Sequence, residues 1–237
     1  MPAKTQNILV KLTVNGTPIE GAVELPAIPS PKRVILPALQ GLTDAIVGIA
    51  QQEAESTGEN VSCRKGCDAC CRQMVPLAPT EVFALAAYLD SLPPAAAAPV
   101  LERFDREVEA LEEKGLTEFL RHRHALAPAQ MQALDRAYFA AQIPCPFLEN
   151  HACSIHAVRP LVCREYLVTS DAKFCAQPEA DKVRQVVLGA RTSQALLKSE
   201  PGAGWVPLVL AREYAAQHRE ALAANPAKAL RGIVKRL

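Results

Sequence analysis

Residues 63–71 read Cys63-Arg64-Lys65-Gly66-Cys67-Asp68-Ala69-Cys70-Cys71, and residues 145–175 read CPFLENHACSIHAVRPLVCREYLVTSDAKFC, supplying Cys145, Cys153, Cys163 and Cys175. These two runs hold all eight cysteines of the chain. Ordinary buried cysteines would be scattered through the helical stretches instead. Clustered thiols in a chain that opens MPAKTQNILVKLTVNG, with no long apolar core or small-residue cleavage site, read as metal ligands before disulfides. The expected fold follows: mainly α, an irregular helical domain built around a cysteine metal site, with an N-terminal β-hairpin.

Spacing removes several alternatives. Cys67-Asp-Ala-Cys70 is formally a C-x-x-C, but a thioredoxin-like site would need a neighbouring βαβ pattern, and the neighbours read as helices. Cys63-x3-Cys67-x2-Cys70 has the spacing of radical enzymes that cleave S-adenosylmethionine, yet no repeating βα alternation follows it. The second run has gaps of seven, nine and eleven residues, too irregular for a zinc finger with its closely paired ligands. The adjacent Cys70 and Cys71 are expected to diverge and to serve different metals, or to have one thiol bridge or stand behind the other. Eight thiols divide into two four-thiolate sites, or into one such site with accessory cysteines. Either way both runs contribute, clamping elements separated by residues 78–142. Arg64, Lys65, Arg72, Arg159, Arg164 and Lys173 flank the runs, and cations there would offset the negative charge of bound thiolates. Arg164, beside Cys163, is expected behind the ligands; Lys65 and Lys173 read as solvated.

Outward from the cysteines the chain divides into residues 1–36, a hairpin and linker, and residues 37–237, helical. Ile8, Val10, Leu12 and Val14 alternate, and Ile19, Val23 and Leu25 continue beyond Asn15-Gly16, which suits a tight hairpin turn. AIPSPKRVILP reads as an extended linker. Helical spacing marks Leu39, Leu42, Ile46 and Ile49, ended by Gly58; Val82, Leu85, Ala86 and Leu89 behind Pro79-Thr80; and Leu101, Phe104, Val108 and Leu111, closed by Lys114-Gly115. Leu116, Phe119 and Leu120 suggest a short helix, and Met131, Leu134, Tyr138 and Ala141 another. Further on, Val183, Val186, Val187 and Ala190 are expected on one helical face, as are Leu210, Tyr214, His218 and Leu222. PPAAAAP reads as a turn between helices.

Composition narrows the function. The chain has 237 residues, 49% hydrophobic and 22% charged, as in a soluble globular protein, and a net charge of +1. That balance argues against nucleic acid or an acidic membrane as partner. No apolar stretch reads as bilayer-spanning, so the expected location is the reducing cytoplasm. No Gly-rich strand-to-helix turn for a dinucleotide or S-adenosylmethionine stands out: GARTS at 189 and GAGW at 202 lack the flanking strand. No hydrolytic triad or carboxylate pair is evident. His122 and His124 read as a solvated helix end, His218 as a core histidine and Trp205 as a packing anchor. His151 and His156 bracket Cys153, but thiols are the preferred ligands.

The pattern C-x3-C-x2-C-C, then CPFL, then Cys153 with Arg159-Pro160, Cys163-Arg164 and Tyr166, resembles the zinc- or iron-chelating domain family named for its CxxCxxCC motif, the YkgJ-type cysteine-cluster proteins. The resemblance covers roughly residues 58–175, with His156 where the family usually has tyrosine. It implies metal binding by Cys63, Cys67, Cys70, Cys71, Cys145, Cys153, Cys163 and Cys175, with Arg159, Arg164 and Tyr166 around them. The cofactor it implies is an iron–sulfur cluster, 4Fe-4S favoured, or zinc. One branch of the family is similar to flagellin lysine methylases. Two classes of function stay open: an iron–sulfur centre in redox or group-transfer chemistry with a substrate or redox partner, and a structural zinc- or iron-binding module. A thiol redox sensor is a third.

Overall fold

In the computed structural model, residues 4–176, 181–200, 202 and 204–237 are described. Strands β1 (Thr5–Val14) and β2 (Thr17–Pro26) form the antiparallel hairpin, with Ile8 opposite Val23 and Leu12 opposite Ile19. Asn15 and Gly16 take positive φ of 49° and 81°, the conformation that lets a two-residue turn match the strand twist. A lone hairpin is marginal in water. Here Ile8 and Leu25 enter a core with Leu36, Leu39, Leu230 and Ile233. The turn is also pinned from outside: Asn15 donates to Glu53 at 2.9 Å, and Gly189 lies so close that a Cβ would fall 2.5 Å from the Asn15 side chain.

Past the hairpin the chain is mainly α. Ser30–Pro31 (β3) is extended, but Lys32–Ile35 is a 3-10 turn leading straight into α1 (Leu36–Ser56). The linker expectation fails there because Pro37 sits in the first turn, where a missing N–H costs nothing. Lys32–Ser56 is also long and apolar enough to cross a bilayer, contrary to the sequence expectation. Its Leu39, Leu42 and Ile46 are buried within this structure.

Three short strands and four helices follow α1 in the first two thirds. Pro76–Leu77 (β4) precedes α2 (Pro79–Ser91), α3 (Pro94–Glu113), α4 (Thr117–Arg121) and α5 (Pro128–Ala140). PPAAAAP is therefore the start of α3 rather than a turn, with Pro94 in its first turn and Pro99 inside it. Leu148–Glu149 (β5) and Ala152–Cys153 (β6) make a second small hairpin. The remaining pieces are α6 (Leu161–Glu165), α7 (Lys173–Ala176), α8 (Thr192–Lys198), β7 (Val206–Pro207), α9 (Ala211–Gln217), β8 (Leu222–Ala223) and α10 (Pro226–Val234). Strand β3 pairs with β8 and β4 with β7, so the last segments of chain stitch the first ones down.

Two further expectations fail. Residues 183–190 are not helical: Val168 bridges Gln185, Val186 N–H donates to Leu167 and Thr169 N–H to Arg184. Val186 is buried while Val187 points out, the alternation of an extended chain. Helix α9 ends at Gln217, leaving Leu222 exposed in β8 and His218 exposed, stacked on Tyr214 with ring centroids 3.9 Å apart.

Three glutamates, Glu81 and Glu165 buried and Glu200 partly so, lock helix N-termini together. Glu81 accepts from Ala78 N–H at its own helix start and from Leu161 N–H at the start of α6. Glu165 accepts from Ser193 N–H and the hydroxyls of Thr192 and Ser193 at the start of α8. Glu200 accepts from Thr80 at the start of α2 and pairs with Lys32. Each carboxylate meets unsatisfied N–H groups at the positive end of a helix.

Candidate metal centre

The first cysteine run lies between α1 and α2. Gly58, with φ of 83°, turns the chain off α1. Ser62 N–H then bonds Val168 C=O, laying the run alongside the segment after α6. Gly66 at φ 88° and the Cys67 N–H to Arg64 C=O bond make a tight loop, and Ala69–Arg72 close into a 3-10 turn. The second run reaches this turn from three directions. Cys145 N–H donates to Cys71 C=O at 2.7 Å. The β5–β6 hairpin turns through Asn150 and His151, both at positive φ, and brings His151 Nδ1 within 3.0 Å of Asp68. Helix α7, carrying Cys175, packs on the 69–72 turn.

All eight cysteines are unpaired, and the structure brings them into one neighbourhood. Cys70 is its hub, within electrostatic reach of Cys63, Cys71, Cys145, Cys153, Cys163 and Cys175. Two trios meet there. Cys63, Cys67 and Cys175 interact among themselves, and so do Cys145, Cys153 and Cys163. The side chains are not drawn onto a common point: among the described residues, no group of three or more His, Cys, Asp or Glu could hold a metal ion as it stands. The Cys70 and Cys71 thiols stand close enough to act on one another. In a 3-10 turn successive side chains stand about 120° apart rather than opposed, which leaves two sulfurs within reach.

Electrostatics explain why thiols stay neutral in this arrangement. Burial pushes the Cys145 thiol up to about 12, with Cys153 and Cys70 adding to the effect. Burial likewise raises Cys63, Cys153, Cys163 and Cys175, while Cys70 is raised first by its bond to Cys71 and then by burial. Against this, the structure provides groups that favour thiolates. The N–H groups of Val168, Phe147 and Ile155 are directed at Cys63, Cys145 and Cys153, and the Tyr166 hydroxyl bonds Cys175. A bound cation would reverse the balance and leave these donors serving charged sulfur.

Arg159 lies among the thiols. Its charge acts on Cys63, Cys70 and Cys153, so it spans both trios, and its buried Nε has no hydrogen-bond partner. Arg164 is occupied elsewhere. It holds Asp44 of α1 at 2.7 and 2.8 Å and bonds the carbonyls of Arg159 and Ala157, fixing the loop that carries Arg159. Arg159 and Arg164, with burial, hold the His156 imidazole below its ordinary range. Phe147 is a core residue, edge-on to Phe104 at 5.4 Å, and Arg103 of α3 bonds Pro146 C=O.

Sequence reasoning missed the N–H donors to sulfur and the Asp68–His151 tie, since neither leaves a residue signature. It also missed Glu81, although Pro79 followed by Glu81 matches the start of a capped helix.

The family model CxxCxxCC, described as "Putative zinc- or iron-chelating domain", matches residues 62–182, about half of the chain and all eight cysteines. No curated protein and no solved structure matches.

Proposed function

The chain belongs to the CxxCxxCC family of zinc- or iron-chelating domains, and on that premise we propose that its cysteines hold iron in an iron–sulfur centre, 4Fe-4S in type. The observation that carries this reading is the convergence of both runs on Cys70. Each trio, Cys63-Cys67-Cys175 and Cys145-Cys153-Cys163, takes its fourth thiolate from the vicinal pair Cys70-Cys71. The donor set is sulfur alone, and backbone N–H groups point at three of the sulfurs. Hydrogen bonds to sulfur and partial burial are the means by which proteins tune iron–sulfur potentials. Arg159 offsets the negative charge of the thiolates, and Tyr166 bonds one of them.

Such a centre serves redox or group-transfer chemistry with a small substrate or a redox protein. A net charge of +1 favours neither nucleic acid nor a membrane as partner, and a reducing cytoplasm keeps the thiols free. A thiol sensor fits less well, because sensing needs exposed thiols of low pKa, whereas burial raises Cys145 and Cys163. Structural zinc in the same thiols is the competing reading, favoured by the small cores that the two runs join. Mössbauer spectra and acid-labile sulfide on protein purified without oxygen test the proposal. Iron with sulfide is the expected result; stoichiometric zinc without sulfide overturns it.

A further inference from the structure

A cleft of about 840 Å³, away from the thiols, is lined by no cysteine. It lies between the end of α4 with the following 3-10 turn Arg123–Ala125, the segment around Trp205, and α9. We propose that this cleft binds an anion carrying a planar ring, of the nucleoside-phosphate class.

Arg123 gives the cleft its positive charge. Neighbouring Arg121 is neutralised, with two nitrogens on Glu213 and a third on Glu118. Among the described residues Arg123 has only backbone oxygens for hydrogen-bond partners, Trp205 C=O at 2.5 Å and Leu120 C=O at 3.0 Å, and its guanidinium lies 5.0 Å from the Trp205 ring centroid. A half-buried cation with no ion-paired carboxylate among the described residues leaves the cleft with a positive charge to satisfy. Planar guanidinium suits a phosphate or carboxylate. Exposed His122 and His124 on the same wall can add donors.

Helix α9 offers a surface for a flat ring. Tyr214 and His218 are stacked 10° from parallel, and Phe83 braces Tyr214 edge-on at 6.2 Å. One face of His218 is thus used, and among the described residues no second ring stacks on this exposed side chain, so a flat ring can continue the stack. Trp205 supplies further aromatic surface. A cleft of this size with a few polar groups among aromatic walls is of the kind that takes a small ligand. The proposal is independent of the thiols, so its failure leaves the metal reading untouched.

Trp205 is the one tryptophan in the chain, which makes its emission a reporter of this cleft. Titration of the full chain with adenosine monophosphate is expected to change that emission saturably, with affinity about tenfold or more above that for inorganic phosphate. Arg123→Gln should weaken binding about tenfold, as loss of a charge-assisted contact does. Because Arg123 also bonds two carbonyls, circular dichroism must show that variant folded. His218→Ala, an exposed substitution, decides the matter independently: affinity for adenosine monophosphate should fall toward that for phosphate. No saturable change with adenosine monophosphate, or equal affinity for it and phosphate in the native chain, overturns the proposal. So does unchanged affinity in His218→Ala.

Discussion

Cys145 donates its backbone N–H to the carbonyl of Cys71 across 2.7 Å, joining two cysteine runs that are 74 positions apart. The bond fixes main chain rather than sulfur. It holds the 69–72 turn against the start of CPFL whatever the thiols do, and Phe147 then anchors that segment on Phe104. The neighbourhood of the thiols is therefore set by the fold, and a metal would close what the backbone has already assembled.

If the trios are separate ligand sets, substitutions should sort by trio. Cys67→Ser and Cys175→Ser should give one metal content and spectrum, and Cys153→Ser and Cys163→Ser another. Each should also lower thermal stability markedly, since structural metal sites can supply on the order of 10 kcal/mol to folding. Metal and sulfide analysis with thermal melts of the four variants checks this, and four identical profiles would count against two sets.

The vicinal cysteines should be unequal. Cys70 is within electrostatic reach of thiols of both trios, and Cys71 stands beside it. Cys70→Ser should therefore lose more bound metal than Cys71→Ser. Parallel metal analysis of the two variants, purified identically, is the measurement.

If the thiols hold an iron–sulfur cluster, removing the cation among them should make it harder to reduce. Arg159→Met keeps the bulk but deletes the charge and the unpartnered Nε. The midpoint potential should fall by about 50 mV, near the value of one tenfold change in a one-electron equilibrium. Arg164→Met, by contrast, should act on stability, because Arg164 is spent on Asp44 and two carbonyls. Potentiometric titration followed by absorbance separates the two.

Glu81 should make the fold less stable as pH rises. Burial pushes its carboxyl up to about 7 from an ordinary 4.5, with Glu165 and Glu200 adding repulsion, although Ala78 and Leu161 N–H groups oppose the shift. Between those two values the folded state holds a proton that the unfolded chain has lost. Stability is therefore fully present below the lower value and declines through the upper one, by up to about 3 kcal/mol. Glu81→Gln should melt lower at acid pH, having lost an acceptor, yet show a flatter dependence between pH 5 and 8. Denaturant unfolding across that range tests it.

Local signals made much of the architecture legible in the chain. The parity of Ile8 to Leu25 around Asn15-Gly16 determines the hairpin, because only one register buries those residues together. The stripes Leu39-Leu42-Ile46 and Val82-Leu85-Leu89 determine α1 and α2, and the two cysteine runs mark where metal chemistry belongs. Distant partners decided the rest. Val183–Ala190 has apolar spacing compatible with a helix, but backbone pairing with Leu167, Val168 and Thr169 turns it into extended chain. His218 shares a period with Tyr214, yet α9 stops short and leaves it in solvent. That Cys70 would be the hub, that Arg159 would face sulfur while Arg164 clamps Asp44, and that three glutamates would cap other helices all depend on contacts between residues far apart in the chain. Such contacts leave no periodicity, because their geometry exists only once the intervening helices have packed.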